Sequence, residues 1–132
     1  MKDEEFRNQC AVVQWWAYAC KGYGLPEFAL MAYPSGGMRH KATAGKMKAM
    51  GARRGIPDLL LPVARGDCHG LAIEMKSQEG RTSDAQRIVL PWFELIGWRV
   101  EVAYSFEAAV KAVGLYLGAP SDRSTGISKS PV

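Results

Sequence analysis

Two stretches decide the fold: Gly55-Ile56-Pro57-Asp58-Leu59-Leu60-Leu61 and Gly70-Leu71-Ala72-Ile73-Glu74-Met75-Lys76. Both read as strands, Asp58 to Val63 and Gly70 to Lys76, joined through a turn at Arg65-Gly66-Asp67. The first is so apolar that it belongs inside a sheet, with Pro57 fixing its own φ and Asp58 at the strand's end. In the second, side chains alternate faces. Leu71, Ile73 and Met75 point one way, and Ala72, Glu74 and Lys76 the other. Glu74 and Lys76 are then same-face neighbours roughly 6.6 Å apart, with the small Ala72 leaving room beside them. Two carboxylates at the ends of adjacent strands suit a hard divalent cation such as Mg²⁺ or Mn²⁺. The competing readings are that Glu74 and Lys76 line the solvated face of an antiparallel sheet, and that Asp58 is a turn residue.

Working outward, Asp3 to about Lys21 has helical period, with Phe6, Cys10, Val13, Ala17 and Cys20 on one stripe and Gly22-Tyr23-Gly24 as its end. Phe28 to Tyr33 reads as a strand closed by Pro34-Ser35-Gly36-Gly37, and His40 to Met50 as a short helix stopped by Gly51. Ser83 with Gln86 forms a capping box for a helix to about Ile96, in which Pro91 predicts a kink or a broken turn. Trp98 to Tyr104 is a strand, and Ser105 caps a last helix to about Leu117. A central mixed sheet covered by helices, an α/β fold, fits this order. Residues 1–118 read as one domain, and 119–132, rich in Ser, Pro and Gly, as a flexible tail.

Composition bounds the function. The 132 residues suffice for one domain, and 48% hydrophobic with 23% charged residues is ordinary globular usage. No stretch is long and apolar enough to cross a bilayer, and no apolar core follows the acidic start Asp3-Glu4-Glu5, so a cytoplasmic protein with no membrane partner is expected. Three cysteines without metal-ligand spacing read as reduced thiols. Gly22-Tyr23-Gly24 lacks the third glycine of a dinucleotide loop, which argues against a nucleotide cofactor. The net charge of +4 is unevenly spread: Phe28 to Pro57 holds no acid and six bases, Arg39, Lys41, Lys46, Lys48, Arg53 and Arg54. Such a block directly before Asp58 reads as a phosphate-binding footprint, or else as a solvated face. The four tryptophans read as core or interface residues.

Pro57-Asp58, fifteen residues, then Glu74-Met75-Lys76 is the P-D…(D/E)-x-K pattern of a large nuclease superfamily. More of the chain resembles one branch, the VRR-Nuc domain. Ala52-Arg53-Arg54-Gly55-Ile56-Pro57-Asp58 is similar to its Val-Arg-Arg run before Gly-x-Pro-Asp. Pro34-Ser35-Gly36 resembles its Pro-Asn-Gly, Ser83 and Gln86 its Ser-x-x-Gln helix start, and Gly97 to Val102 with Ser105-Phe106-Glu107-Ala108 its last strand and helix. The likeness spans about residues 4 to 113. Ala52 for Val and Ser35 for Asn are its departures, and neither touches a carboxylate.

The resemblance implies a PD-(D/E)XK nuclease-like sheet and a metal-dependent phosphodiesterase. Asp58 and Glu74 would hold Mg²⁺ or Mn²⁺ with the Met75 backbone carbonyl, and Lys76 would orient the attacking water or neutralise charge. Superfamily members often add a glutamate from the first helix. Glu5 is preferred to Glu4 because Gln9 lies one turn above it, although both acids also suit a helix N-terminus. Gln86 is placed to reach the site, although the capping box alone explains it. Stand-alone members resemble Holliday-junction resolvases from phages and bacteria and act as homodimers on four-way DNA junctions. A flap or single-strand nuclease, and a binding module without turnover, are the rivals.

Overall fold

The computed structural model describes residues 2–33 and 41–118. Four helices and four strands follow in the order α1 (Lys2–Ala19), β1 (Met31–Ala32), α2 (Lys41–Ala49), β2 (Leu59–Leu61), β3 (Gly70–Met75), α3 (Asp84–Leu95), β4 (Trp98–Ala103) and α4 (Phe106–Leu117). The sheet order is β1-β2-β3-β4. The first two pairings are antiparallel and β3–β4 is parallel, with α3 as the crossover that a parallel pair requires. This is the mixed α/β sheet expected from the sequence.

Every residue of β3 is buried, so both faces of the sheet's centre are covered. Leu71, Ile73 and Met75 join Leu59 and Leu61 in a core closed by Val12, Trp16 and Cys20 of the first helical segment and Ala109, Val113 and Tyr116 of α4. Burying a side chain of this size is worth about 1.5–3 kcal/mol, so this layer holds the sheet in place. Two polar ties fix its rim: Trp16 Nε1 donates to the Glu27 carbonyl (2.8 Å) and the Tyr116 hydroxyl to that of Val63 (2.7 Å). The opposite face of β3, with Ala72 and Glu74, lies under α3, whose Gln86, Leu90 and Phe93 are buried.

Three expectations are corrected. The buried stripe of α1 is not Phe6, Val13 and Ala17, which are exposed, but Val12 and Trp16, continued by Cys20 in the 3-10 turn Cys20–Tyr23. The bulky, hydrogen-bonded Trp16 sets the rotation, and by i,i+3 and i,i+4 steps the same row runs back through Val12 and Gln9 to Glu5. The strand expected over Phe28 to Tyr33 is only Met31–Ala32; Glu27–Ala29 is a 3-10 turn with Phe28 exposed. Finally, of the kink or broken turn expected at Pro91 the break is absent, since α3 is helical from Asp84 to Leu95. Its amphipathic face and capping box outweigh the one backbone hydrogen bond that proline removes. The cap itself is as read: Ser83 Oγ accepts from Gln86 N (3.1 Å) and Gln86 Oε1 from Ser83 N (2.9 Å). The tail 119–132 and the Pro34–Gly37 turn lie outside the described residues.

Candidate active site

Strand register brings the two carboxylates together. In the β2–β3 ladder Leu59 pairs with Ile73 and Leu60 with Ala72. Continued one residue beyond β2, the same antiparallel register sets Asp58 opposite Glu74. Directly opposed residues have Cβ atoms about 4.5–5.5 Å apart. The β1–β2 ladder continues the same way, since Tyr33 N donates to the Asp58 carbonyl (2.9 Å). Asp58 Oδ2 in turn accepts from Met75 N at 2.8 Å. The acid at the end of β2 is therefore clamped from both neighbouring strands.

Glu74 is 3% and Lys76 9% exposed, which rules out the solvated-face reading of this pair. Lys76 Nζ lies 3.4 Å from Glu74 Oε2. The Lys76 backbone N–H donates to Ala103 (2.9 Å), and a turn closed by Gly80 N to the Ser77 carbonyl (2.9 Å) lies against the Lys76 stem. Gln86 combines both roles considered for it. Its carbonyl oxygen completes the capping box while its Nε2 donates to Glu74 Oε2. Capping thus pins the amide whose other end orients the glutamate.

Glu5 arrives from the first turn of α1, where its Oε2 accepts from Ser77 N at 3.3 Å. Its charge reaches Asp58 and helps hold that carboxyl above the usual range, although burial is the larger cause. Burial likewise pushes Glu74 up to about 7, with the facing Asp58 charge adding to it, while Lys76 and the Gln86 bond oppose the rise. Two features here had no sequence signal. Ser77 is 1% exposed, and its hydroxyl has no partner among the described residues. The Tyr33 hydroxyl accepts from the Arg53 backbone N–H (2.6 Å), which ties the arginine pair to the β1 strand beside Asp58.

One feature of the donor set bears on a divalent cation. Glu74 Oε1 is buried and has no hydrogen-bond partner among the described residues. An orphaned, buried carboxylate oxygen beside a second, half-buried carboxylate gathers negative charge that one lysine does not neutralise, and it fits a cation. Among the described residues no three of His, Cys, Asp or Glu gather as a metal cluster, and Asp58 and Glu74 are the acids that the strand register sets opposite each other. That matches a Mg²⁺-type ion, which keeps several waters and uses one or two carboxylates.

Of the basic block, Lys46, Lys48, Arg53 and Arg54 are exposed. Lys41 opens α2, and Arg39 lies outside the described residues. Cys10, Cys20 and Cys68 are free thiols. No helix among the described residues is long and apolar enough to cross a membrane.

Comparison with known proteins agrees with this geometry. The family model of the VRR-NUC domain matches residues 4–107. A solved structure described as "VRR_NUC domain protein" superposes with a TM-score of 0.72 at 25% identity, covering 89% of this chain and 91% of that one. No curated protein matches the chain.

Proposed function

The chain belongs to the VRR-NUC domain family, a family of nuclease domains, and from that premise we propose that it is a divalent-metal-dependent DNA endonuclease acting on branched DNA. The observation that carries the reading is the buried Glu74–Lys76 pair beside the half-buried Asp58, with Gln86 bound to Glu74. Taking two acids and a lysine out of water is costly, and no packing need explains that arrangement at a strand end.

In this reading Asp58, Glu74 and the Met75 carbonyl hold Mg²⁺ or Mn²⁺, with Glu5 acting through water. A bound divalent ion supplies charge neutralisation at the phosphate and a lower pKa for the attacking water. Asp58 is held for that task by its bond from Met75 N, and Glu74 by Gln86. Lys76, fixed at the end of β3, neutralises charge developing on the phosphate or orients the water. Lys46, Lys48, Arg53 and Arg54 take backbone phosphates, as do Arg39 and Lys41, which sets affinity rather than base sequence.

A four-way junction is the proposed substrate, with a homodimer supplying one site for each of two opposed strands. The protein acts in the cytoplasm of a bacterium or of a phage-infected host. The test is cleavage of junction, flap, duplex and single-stranded DNA with Mn²⁺, Mg²⁺ or EDTA. Paired nicks in the junction with either metal and none in EDTA are expected. Preference for flaps or single strands would move the substrate, and metal-insensitive binding without cleavage would remove the enzyme.

A further inference from the structure

A groove of about 800 Å³ lies between α2 and α3, within the span of about 300–1,000 Å³ usual for ligand sites. Its floor is apolar, formed by Met47, Ile88 and Trp92 among others, and its rim carries Lys48, Arg53 and Arg54. No acid lines it. Trp92 is 52% and Ile88 74% exposed, so a large apolar area faces solvent beside three cations. The loop that carries Arg53 and Arg54 on the groove's rim runs on into Pro57 and Asp58. Gly55, at φ 85°, packs so closely on Ala85 that a Cβ would stand 2.8 Å from its backbone, which seats the arginine-bearing loop on the first turn of α3, next to Gln86.

We propose that this groove receives an unstacked nucleotide of the substrate strand, its base against Trp92 and its phosphates on Arg53 and Arg54. The inference rests on the nuclease reading and deepens it: a branch point that lets one nucleotide unstack beside the cut, at a junction crossover as at a flap, is preferred to continuous duplex. Charge decides the occupant. A second copy seated on the same groove by two-fold symmetry would set Lys48, Arg53 and Arg54 against their own counterparts, and like charges across an interface cost several kcal/mol. A nucleotide offers what the groove lacks, an anion for the rim and an aromatic face for the floor. Base-on-aromatic stacking is tolerant of sequence, and a buried base in duplex cannot reach such a floor.

The test is binding in EDTA, where no strand is cut, with a flapped duplex carrying 2-aminopurine at the first unpaired position and a blunt duplex of the same sequence. Wild-type protein should quench the probe and prefer the flap. Trp92→Ala should lose the quench and about fivefold or more of flap affinity, while blunt-duplex affinity stays within about twofold. Trp92→Phe, which keeps an aromatic face, should restore most of both and excludes misfolding as the cause. Equal loss on both DNAs, or loss on neither, overturns the proposal. So does a dimer that Trp92→Ala converts to monomer in light scattering, which would make the groove a self-interface. These readings need no metal, so they stand apart from failure of the cleavage assay, which would sink the nuclease reading instead.

Discussion

Glu74→Gln in metal-free buffer isolates the electrostatics of the site. The Glu74 carboxyl moves from an ordinary 4.5 to about 7 in the fold, chiefly through burial and then through the facing Asp58. Its proton is therefore held about 3 kcal/mol more tightly folded than unfolded. Because the unfolded chain gives up that proton first, it binds fewer protons than the native state across this range, and stability falls as pH rises. The contribution is fully present below about 4.5 and is lost as pH climbs through 7. Asp58, also raised, acts in the same direction.

Glutamine keeps the shape and an acceptor for Gln86 Nε2, but it has no proton to lose. It also leaves Lys76 without its ion-pair partner at 3.4 Å, a cost that can offset part of the gain in absolute stability. The informative quantity is thus the pH slope, not the melting temperature at one pH. In thermal melts with EDTA from pH 5 to pH 8, the wild type should lose roughly 2–3 kcal/mol more than Glu74→Gln, on the order of 10 °C for a domain of this size. Parallel slopes for the two proteins would refute the strained carboxylate pair, whatever the cleavage assay shows.

Further outcomes follow from the same geometry. Asp58→Asn and Glu74→Ala should each abolish cleavage and the calorimetric signal of Mn²⁺ binding while leaving DNA affinity in EDTA largely intact, because each removes a negative charge near the phosphates. Gln86→Glu keeps an acceptor for Ser83 N, so the melting temperature should fall little, yet it swaps the donor to Glu74 for a second acid; the acidic limb of the cleavage–pH profile should move to higher pH. Arg53→Ala with Arg54→Ala should make the slope of log K against log salt shallower by up to about two on junctions and duplexes alike. Gly55→Ala should cost about 1–3 kcal/mol in a melt, since a side chain is strained at φ 85° and meets the Ala85 backbone at 2.8 Å.

The order of elements along the chain and the carboxylate pair were legible because short-range rules specify them. Period-two alternation places Glu74 and Lys76 on one face, and Ser83 with Gln86 marks a helix start whatever lies around it. The rotation of α1 was not legible. Phe6, Cys10 and Val13 are spaced as well as Glu5, Gln9 and Val12, and only the burial of Trp16 against the sheet chooses between the rows. A hydrophobicity count ranks the Phe6 row higher, and it mistakes a row that leads to the carboxylates for a solvent face.

That misreading shows where sequence logic gives way to site logic. A row carrying Glu5 and Gln9 at the mouth of an apolar core breaks binary patterning, and so do Glu74, Lys76 and Gln86 in buried positions. Each departure lies within reach of one point beyond the end of β3: Glu5 through Ser77 N, Gln86 through Glu74, and Lys76 by following Met75. Scattered polar burial would be a folding defect, whereas convergence on one strand end is what a charged substrate or ion requires. The groove beside it inverts the pattern again, with Ile88 and Trp92 facing solvent where a helix normally presents polar groups. Buried charge at the strand end and exposed apolar surface next to it are complementary departures, one suited to the phosphate being cut and the other to the base attached to it.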